Sequence, residues 1–222
     1  TQRLWREGYS VLALGRTPEK LQSLHEWLSH CSHSNQQVHY TVCMEFPGAD
    51  WELLSAYCAC HRKLGGAIAV LAVCHGAAPL PGPALLCESA IQTVFVVDVM
   101  GAFHLARVIG RHMIEQRQGS IIFLSSVHAQ ATYPDRVPYV IGKISIIGMA
   151  RALAIEWAQY NIQINSISPW QVGGERTNSF IEKEKEETGQ DLLSLYLQKS
   201  PLKRLVSTED IAQTVLYLHN NK

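Results

Sequence analysis

The composition holds no excess charge that would attract a polyanion. The chain has 222 residues, with 19 Lys and Arg against 19 Asp and Glu, which argues against a nucleic-acid partner or an acidic membrane surface. Its most apolar stretch, residues 67–74, is too short to span a bilayer and is followed by Pro79, Pro81 and Pro83. No secretory signal opens the sequence. We therefore expect a cytoplasmic protein with neither a nucleic-acid nor a membrane partner.

A disulfide framework and a paired zinc motif are also absent. The six cysteines include no CxxC pair, which is typical of a reducing compartment. The two Cys/His clusters, residues 30–33 and 58–61, each lack a second ligand pair at zinc spacing. The sequence therefore predicts no metal site.

The third absence is a glycine-rich turn. No GxxxGxG sequence occurs anywhere in the chain, so a phosphate-binding turn of that kind is not encoded in these residues.

What the chain does show is a regular alternation of strand and helix patterns. The hydrophobic periodicity predicts strands near residues 10–15, 37–43, 67–74, 119–124 and 162–168, and helices near 18–31, 50–64, 84–116, 138–160 and 208–219. Such βα repetition favours right-handed crossovers and a doubly wound parallel sheet. With 47% hydrophobic residues, the length suits a single α/β domain.

The most informative local pattern is Tyr139-Val-Ile-Gly-Lys143, which follows Ser126 by thirteen residues. On a helix, Tyr139 and Lys143 emerge from the same face. A neighbouring ammonium favours ionisation of a phenol, which makes Tyr139 a candidate general acid/base and Lys143 its tuning residue. Ser126 follows the apolar strand pattern Gly119–Leu124, at the strand end where α/β proteins place functional groups.

Together these elements resemble the short-chain dehydrogenase/reductase family, of the classical type. Further stretches resemble family segments: Val73-Cys-His-Gly-Ala77 its Asn-Asn-Ala-Gly strand end, Val97–Phe103 its Asn-x-x-Gly-x-Phe helix, and Asn165–Pro169 the strand before its Pro-Gly loop. The resemblance implies a Rossmann-like fold and hydride transfer between a nicotinamide cofactor and a carbonyl or secondary alcohol. It implies catalytic roles for Ser126, Tyr139, Lys143 and Asp98.

The resemblance also implies where the cofactor binds: Cys74, Gly76, Tyr139, Lys143, Pro169 and Val172 match contact positions. At the end of the second strand, Arg16 stands where enzymes specific for NAD have an acidic residue. Because an arginine pairs with a 2′-phosphate, we expect NADP(H) in preference to NAD(H).

Compared with the family pattern, the sequence lacks about one βα unit in front and one strand behind. We therefore expect residues 1–222 to form one incomplete Rossmann-like domain with a substrate lid at 173–206. The strands near 10–15 and 67–74 should run parallel without bonding each other, about two strand spacings apart, roughly 9–10 Å.

Three positions differ from the family in the active site itself. Asp98 replaces an asparagine that holds a relay water, and Trp170 replaces a glycine near the nicotinamide. Met44 and Glu45 occupy the position of an adenine-contacting aspartate. The alternative function is therefore a catalytically impaired binding or scaffold protein.

The substrate class stays open. Ser126-Val-His128 with Tyr133 resembles members acting on sugars or polyols, Trp170 suits a flat ligand, and 3-oxoacyl thioesters are a third option. A homodimer or homotetramer is expected, because the two long helices should present apolar outward faces. The residues assigned to those faces are Phe103, His104, Ile147, Met149 and Trp157.

Overall fold

The computed structural model describes residues 1–15, 17–31, 39–43, 51, 54–55, 58, 66–77, 88–132 and 134–221. The chain order of its main elements is α1 (Gln2–Arg6), β1 (Val11–Gly15), α2 (Pro18–His30), β2 (His39–Cys43), β3 (Val70–Val73), α3 (Glu88–Val94), a π-helix (Phe95–Met100), α4 (Gly101–Gln116), β4 (Gly119–Leu124), α5 (Val137–Trp157), β5 (Ile162–Ile167), α6 (Glu175–Thr188), α7 (Leu192–Lys199) and α8 (Thr208–Asn220). Short 3₁₀ turns occupy Val127–Ala129 and Ala158–Tyr160. Most of the predicted helix at 50–64 lies outside the described residues.

All pairings between these strands are parallel. β1 pairs with β2, from Val11 opposite His39 to Gly15 opposite Cys43. β4 lies between β3 and β5, pairing from Val70 opposite Ser120 and from Gly119 opposite Ile162. Parallel strands need helical crossovers, and the described helices alternate with them. The predicted α/β class with a parallel sheet is confirmed.

The strands fall into two hydrogen-bonded groups, β1–β2 and β3–β4–β5. Within the described part of the chain, β1 and β3 are not hydrogen-bonded to each other, as predicted. The distance between them stays a prediction. Both groups share one core, because Leu12 and Leu14 of β1 pack against the cluster that contains Leu71 of β3 and Phe123 of β4. Full burial of a side chain such as Phe123 contributes roughly 1.5–3 kcal/mol.

Two helical stretches, Glu88–Gln116 and Val137–Tyr160, are long and apolar enough to cross a bilayer by length and composition alone. Core helices of proteins without a membrane span pass the same test. Here Leu105 and Met113 of α4 and Ile146 and Leu153 of α5 are buried in the same core cluster as the strands. Packing against a sheet therefore accounts for their apolar character.

The prediction that Trp157 faces outward is wrong. Trp157 is buried in the core, and its six-membered ring occupies the space where a Cβ on Gly110 would lie. α5 is apolar on nearly every face, so its periodicity does not identify the buried side. Of the other predicted surface residues, Phe103 is exposed, and His104, Ile147 and Met149 are half-buried. The most exposed of the large apolar side chains on α5 is Ile155, at 84%.

Between β5 and α8 the chain forms α6 and α7. Residues 171–173 pair with Val206: the Gly173 N–H donates to the Val206 carbonyl and the Val206 N–H to the Gln171 carbonyl, at 2.8 and 2.9 Å. The acidic and basic run at 182–187 lies on α6 and is largely exposed.

Candidate active site at the carboxyl ends of the strands

Ser125 and Ser126 follow β4 and connect it to its neighbours. The Ser125 N–H donates to the Ile167 carbonyl of β5 at 2.8 Å, and its hydroxyl donates to the Lys143 carbonyl, also at 2.8 Å. Ser126 is buried and caps the 3₁₀ turn, because its Oγ accepts the His128 N–H at 3.2 Å. The strand end is therefore fixed to both β5 and α5.

Tyr139 and Lys143 lie one turn apart on α5, as the spacing predicts. The helix begins at Val137 with Pro138 in its first turn, where the missing N–H costs no hydrogen bond. The Lys143 Nζ lies 5.6 Å from the centroid of the Tyr139 ring and donates to the Leu124 carbonyl of β4 at 3.4 Å. Tyr139 is half-buried and Lys143 is buried.

Asp98 faces Lys143 from the π-helix. Its Oδ2 lies 3.3 Å from the Lys143 Nζ, and the Asp98 side chain is 1% exposed. The other oxygen, Oδ1, accepts the Ala77 N–H at 2.5 Å. π-helical turns commonly occur at functional sites. Here the segment places a carboxylate beside the ammonium, at the position where the resemblance implies an asparagine that holds a water.

The segment that follows β3 packs against the Asp98–Lys143 pair. Gly76 lies so close that a Cβ there would be 3.1 Å from the Lys143 Nζ and 3.3 Å from the Asp98 Oδ2. Before it, the His75 Nε2 donates to the Val97 carbonyl at 2.9 Å. Burial lowers the pKa of His75, and the nearby Asp98 charge opposes that effect. Cys74 is exposed at the strand end.

Gly142 allows α5 to approach the helix that carries Asp98. A Cβ on Gly142 would lie 2.6 Å from the Val94 Cγ1 and 3.4 Å from the Asp98 Oδ2. Contacts below 3.0 Å force neighbouring atoms to move, so the close packing depends on glycine at this position.

The loop after β5 borders the site from the opposite side. The Val127 N–H donates to the Pro169 carbonyl at 3.1 Å, which holds this loop against the serine turn. The Val172 carbonyl accepts the Thr177 hydroxyl at 2.7 Å. Pro169 and Val172 therefore both lie at the carboxyl end of the strands, where the resemblance places them.

A row of aromatic rings extends from Tyr139 into this loop. The His128 ring lies 5.8 Å from that of Tyr139 and 5.9 Å from that of Trp170, and Trp170 lies 6.4 Å from Tyr196 of α7. Burial, and then the charge of Arg136, lower the pKa of His128. A neutral imidazole therefore stands next to the candidate acid/base.

Beyond Trp170 lies a cavity of about 460 Å³ between this loop and residues 199–206. Its lining is mainly apolar, with Trp170, Pro201, Leu202, Leu205 and Val206, and also includes Lys199, Ser200, Arg204 and Asp210. The Trp170 Nε1 is buried and has no hydrogen-bond partner among the described residues. The indole thus combines an unpaired buried donor with a position in the lining of a mainly apolar cavity.

Some predicted site residues lie outside the described part of the chain: Arg16, Met44, Glu45 and Tyr133. Other functional candidates were not singled out from sequence. Ser125 could have been found from its place in the strand-end Ser-Ser pair, whereas Tyr196 lies on a separate helix and gives no local signal. Ala77 contributes only its backbone N–H, which any residue but proline would supply.

The nicotinamide end of a dinucleotide fits this arrangement. Hydrogen bonds from Ser125 and Val127 join the end of β4 to the end of β5 and to Pro169. Gly76 packs against the buried Lys143 ammonium beside them. No glycine-rich turn of the GxxxGxG kind occurs among the 222 residues.

Comparison with known proteins agrees with this geometry. A 130-residue segment is 31% identical to a 3-oxoacyl-[acyl-carrier-protein] reductase FabG of Buchnera aphidicola, covering 59% of this chain and 50% of that protein. The chain spans about half the length of the curated relatives it matches.

Solved structures show the same fold. The crystal structure of NAD⁺-bound xylitol dehydrogenase aligns with a TM-score of 0.83 at 21% identity, over 98% of this chain and 85% of that one. A gluconate 5-dehydrogenase from Burkholderia cenocepacia, in complex with NADP and tartrate, aligns with a TM-score of 0.78 at 20% identity, over 98% and 80%. A family model described as short chain dehydrogenase matches residues 1–185. The chain belongs to the short-chain dehydrogenase family.

Proposed function

We propose that this protein is an NADP(H)-dependent oxidoreductase that interconverts a carbonyl and a secondary alcohol. The observation that supports this most is the arrangement of α5 against β4. Tyr139 and Lys143 share one helix face, and the Lys143 carbonyl is bound by Ser125, the neighbour of Ser126. A proton donor, a cation and a hydroxyl are thereby held at the ends of parallel strands, where α/β proteins bind substrates.

In this proposal Tyr139 gives or takes the proton on the substrate oxygen, and Ser126 orients that oxygen. Lys143 places a positive charge near Tyr139, and its ammonium would hold the ribose of the cofactor. When bound, the nicotinamide supplies or accepts the hydride. Cys74, Gly76, Pro169 and Val172 would line its site. Arg16 would select the 2′-phosphate of NADP.

We further propose that residues 1–222 act as one Rossmann-like domain, with 173–206 as the substrate lid. α6 and α7 lie within this segment, and Tyr196 of α7 already contacts Trp170 beside the candidate site. A lid in this position would exclude water during transfer.

The substrate is proposed as a small carbonyl or alcohol. Sugars or polyols and 3-oxoacyl thioesters are two of the candidate classes. Trp170, with its buried donor and the apolar cavity beside it, supports a third class, a substrate with a flat apolar body and a second oxygen. A panel of all three classes with NADPH and NADH would separate them.

A second function deserves a test because of Asp98. A carboxylate 3.3 Å from the Lys143 ammonium offsets the charge on which the catalytic proposal depends. The alternative is a family member that binds a ligand without turnover and serves as a binding or scaffold protein.

The test is a fluorescence titration of the full-length protein with NADPH, followed by turnover of the carbonyl panel. Tyr139→Phe should reduce turnover by roughly 10²–10⁴-fold with little change in NADPH affinity. Lys143→Ala should reduce turnover and also weaken NADPH binding. Tyr217→Phe is the matched control, because this tyrosine is 64% exposed on α8. Binding without turnover would favour the scaffold function, and absence of NADPH binding would remove the enzyme proposal.

A further inference from the structure

The ion pair between Asp98 and Lys143 holds both charges out of water. The two side chains are 1% and 8% exposed, with 3.3 Å between Oδ2 and Nζ. The Oδ2 has no hydrogen-bond partner among the described residues, so its interaction with the ammonium is a direct charge contact. Opposite charges at this distance are strongly coupled in a buried site.

The carboxylate is fixed independently of the lysine. Its Oδ1 accepts the Ala77 N–H, and Gly142 packs against the same side chain. Lys143 is fixed in turn by Leu124, which accepts from its Nζ, and by Ser125, which donates to its carbonyl. The pair is therefore held by β3, β4 and the π-helix together, in a space that Gly76 leaves open.

We infer that Asp98 is a positioning residue that holds the Lys143 ammonium and offsets its charge at Tyr139. The Tyr139 ring lies 5.6 Å from Nζ. At this distance an ammonium without a countercharge would interact with the ring electrostatically. With Asp98 beside it, the ring instead faces a dipole, whose field falls off faster with distance. The catalytic meaning of this inference rests on the proposed function, in which Tyr139 transfers the substrate proton.

Other titratable groups face the same pair. Cys74 and His75, at the end of β3, both interact with the Lys143 charge, and His75 also interacts with Asp98. On the far side of Tyr139, His128 lies in ring contact and is itself influenced by Arg136. All of these groups are unchanged in the variants described below. A difference between the variants therefore reflects the charges of Asp98 and Lys143.

The experiment measures tyrosinate absorbance in the protein without cofactor or substrate. For each background, subtracting the spectrum of its Tyr139→Phe partner isolates Tyr139 from the other tyrosines. At about pH 9, below the usual range for a phenol, Asp98→Asn should raise the ionised fraction of Tyr139 roughly threefold or more. The asparagine oxygen can still accept the Ala77 N–H, so this variant removes the charge and keeps the bond.

Lys143→Met should lower the ionised fraction. The double variant Asp98→Asn/Lys143→Met should return it close to that of the unmodified chain, because both charges are gone. Glu26→Gln, an exposed carboxylate on α2, is the control for loss of a remote charge and should change nothing. Circular dichroism confirms that each variant is folded at the pH used.

The inference is overturned if Asp98→Asn fails to raise the ionised fraction, or if the double variant stays well below the unmodified chain. Should Asp98→Asn alone not fold, Lys143→Met and the double variant decide together: the inference requires that Lys143→Met lowers the ionised fraction and that the double variant restores it. Because no cofactor or substrate is present, the result is independent of whether the protein turns over a carbonyl. An inactive protein with the expected titration would reject the proposed function and retain the inference.

Discussion

Removing one partner of the buried Asp98–Lys143 pair should destabilise the fold severely. At 3.3 Å and an effective dielectric of about 20, the attraction amounts to about 5 kcal/mol before the cost of desolvating both groups. Lys143→Met leaves a buried carboxylate with no countercharge, and Asp98→Asn leaves a buried ammonium. We expect each to lower the free energy of unfolding by about 3–5 kcal/mol.

The double variant should be less destabilised than the sum of the two single variants, because no uncompensated charge remains. A double-mutant cycle should therefore give a coupling free energy of about 2–3 kcal/mol. The measurement is urea unfolding at neutral pH followed by circular dichroism, with equal denaturant dependence required across the four proteins. Changes that add within about 0.5 kcal/mol would refute the coupling.

The exposed pair Lys20–Glu175 is a matched control for burial. Its Nζ–Oε2 distance is 2.7 Å, shorter than in the buried pair, but its side chains are 65% and 77% exposed. Water screens such a pair, so Lys20→Met should change stability by less than about 1 kcal/mol. If this variant were as destabilised as Lys143→Met, distance rather than burial would govern both pairs.

Three further predictions concern pH, cofactor choice and assembly. Burial lowers the pKa of His75 and of His128; the unfolded chain therefore takes up these protons first, and the free energy of unfolding should fall as the pH drops below about 6.5. Replacing both with Asn should flatten that slope, and an unchanged slope would contradict the assignment. Arg16→Asp should reverse the preference of the active protein for NADP over NAD, whereas equal use of both cofactors by the unmodified protein would show that Arg16 selects neither. The exposed Ile144 and Ile155 should lie in a dimer or tetramer contact. The mass measured by light scattering should therefore exceed that of a monomer, and Ile155→Glu should lower it. A monomer mass at micromolar concentration would argue against assembly.

Strands flanked by clear turn signals were predictable from sequence. Gly119–Leu124 forms β4 with the predicted bounds, and the predicted strand at 162–168 ends one residue earlier, at Ile167. The predicted strand at 67–74 is shorter, spanning Val70–Val73. The Gln116 side chain explains part of this difference: it accepts the Ile68 N–H and donates to the Ile68 carbonyl, at 3.2 and 2.7 Å. A side-chain amide replaces the neighbouring strand there, and no local pattern reveals it.

In the candidate site, too, some features follow from local sequence and others only from tertiary packing. The Tyr139–Lys143 spacing is a local property of one helix, so the sequence predicts their shared face. The contacts of Asp98 with Ala77 and Lys143 join segments far apart in the chain. The sequence identified Asp98 as unusual, but its direct contact with the ammonium follows only from the packing of the π-helix against α5.

The connections of Lys143 determine which variant is informative about mechanism. Its carbonyl binds Ser125, its ammonium contacts Leu124 and Asp98, and Tyr139 lies one turn away on the same helix. Any substitution of Lys143 therefore changes stability, the charge near Tyr139 and the proposed ribose contact together, and loss of activity alone would not separate them. Asp98→Asn leaves the ammonium and the proposed ribose contact in place and can keep the Ala77 bond, so it changes only stability and the charge near Tyr139. A rise in Tyr139 ionisation that accompanies a loss of stability in this variant would show that the chain holds its lysine at the expense of the lysine's effect on the tyrosine.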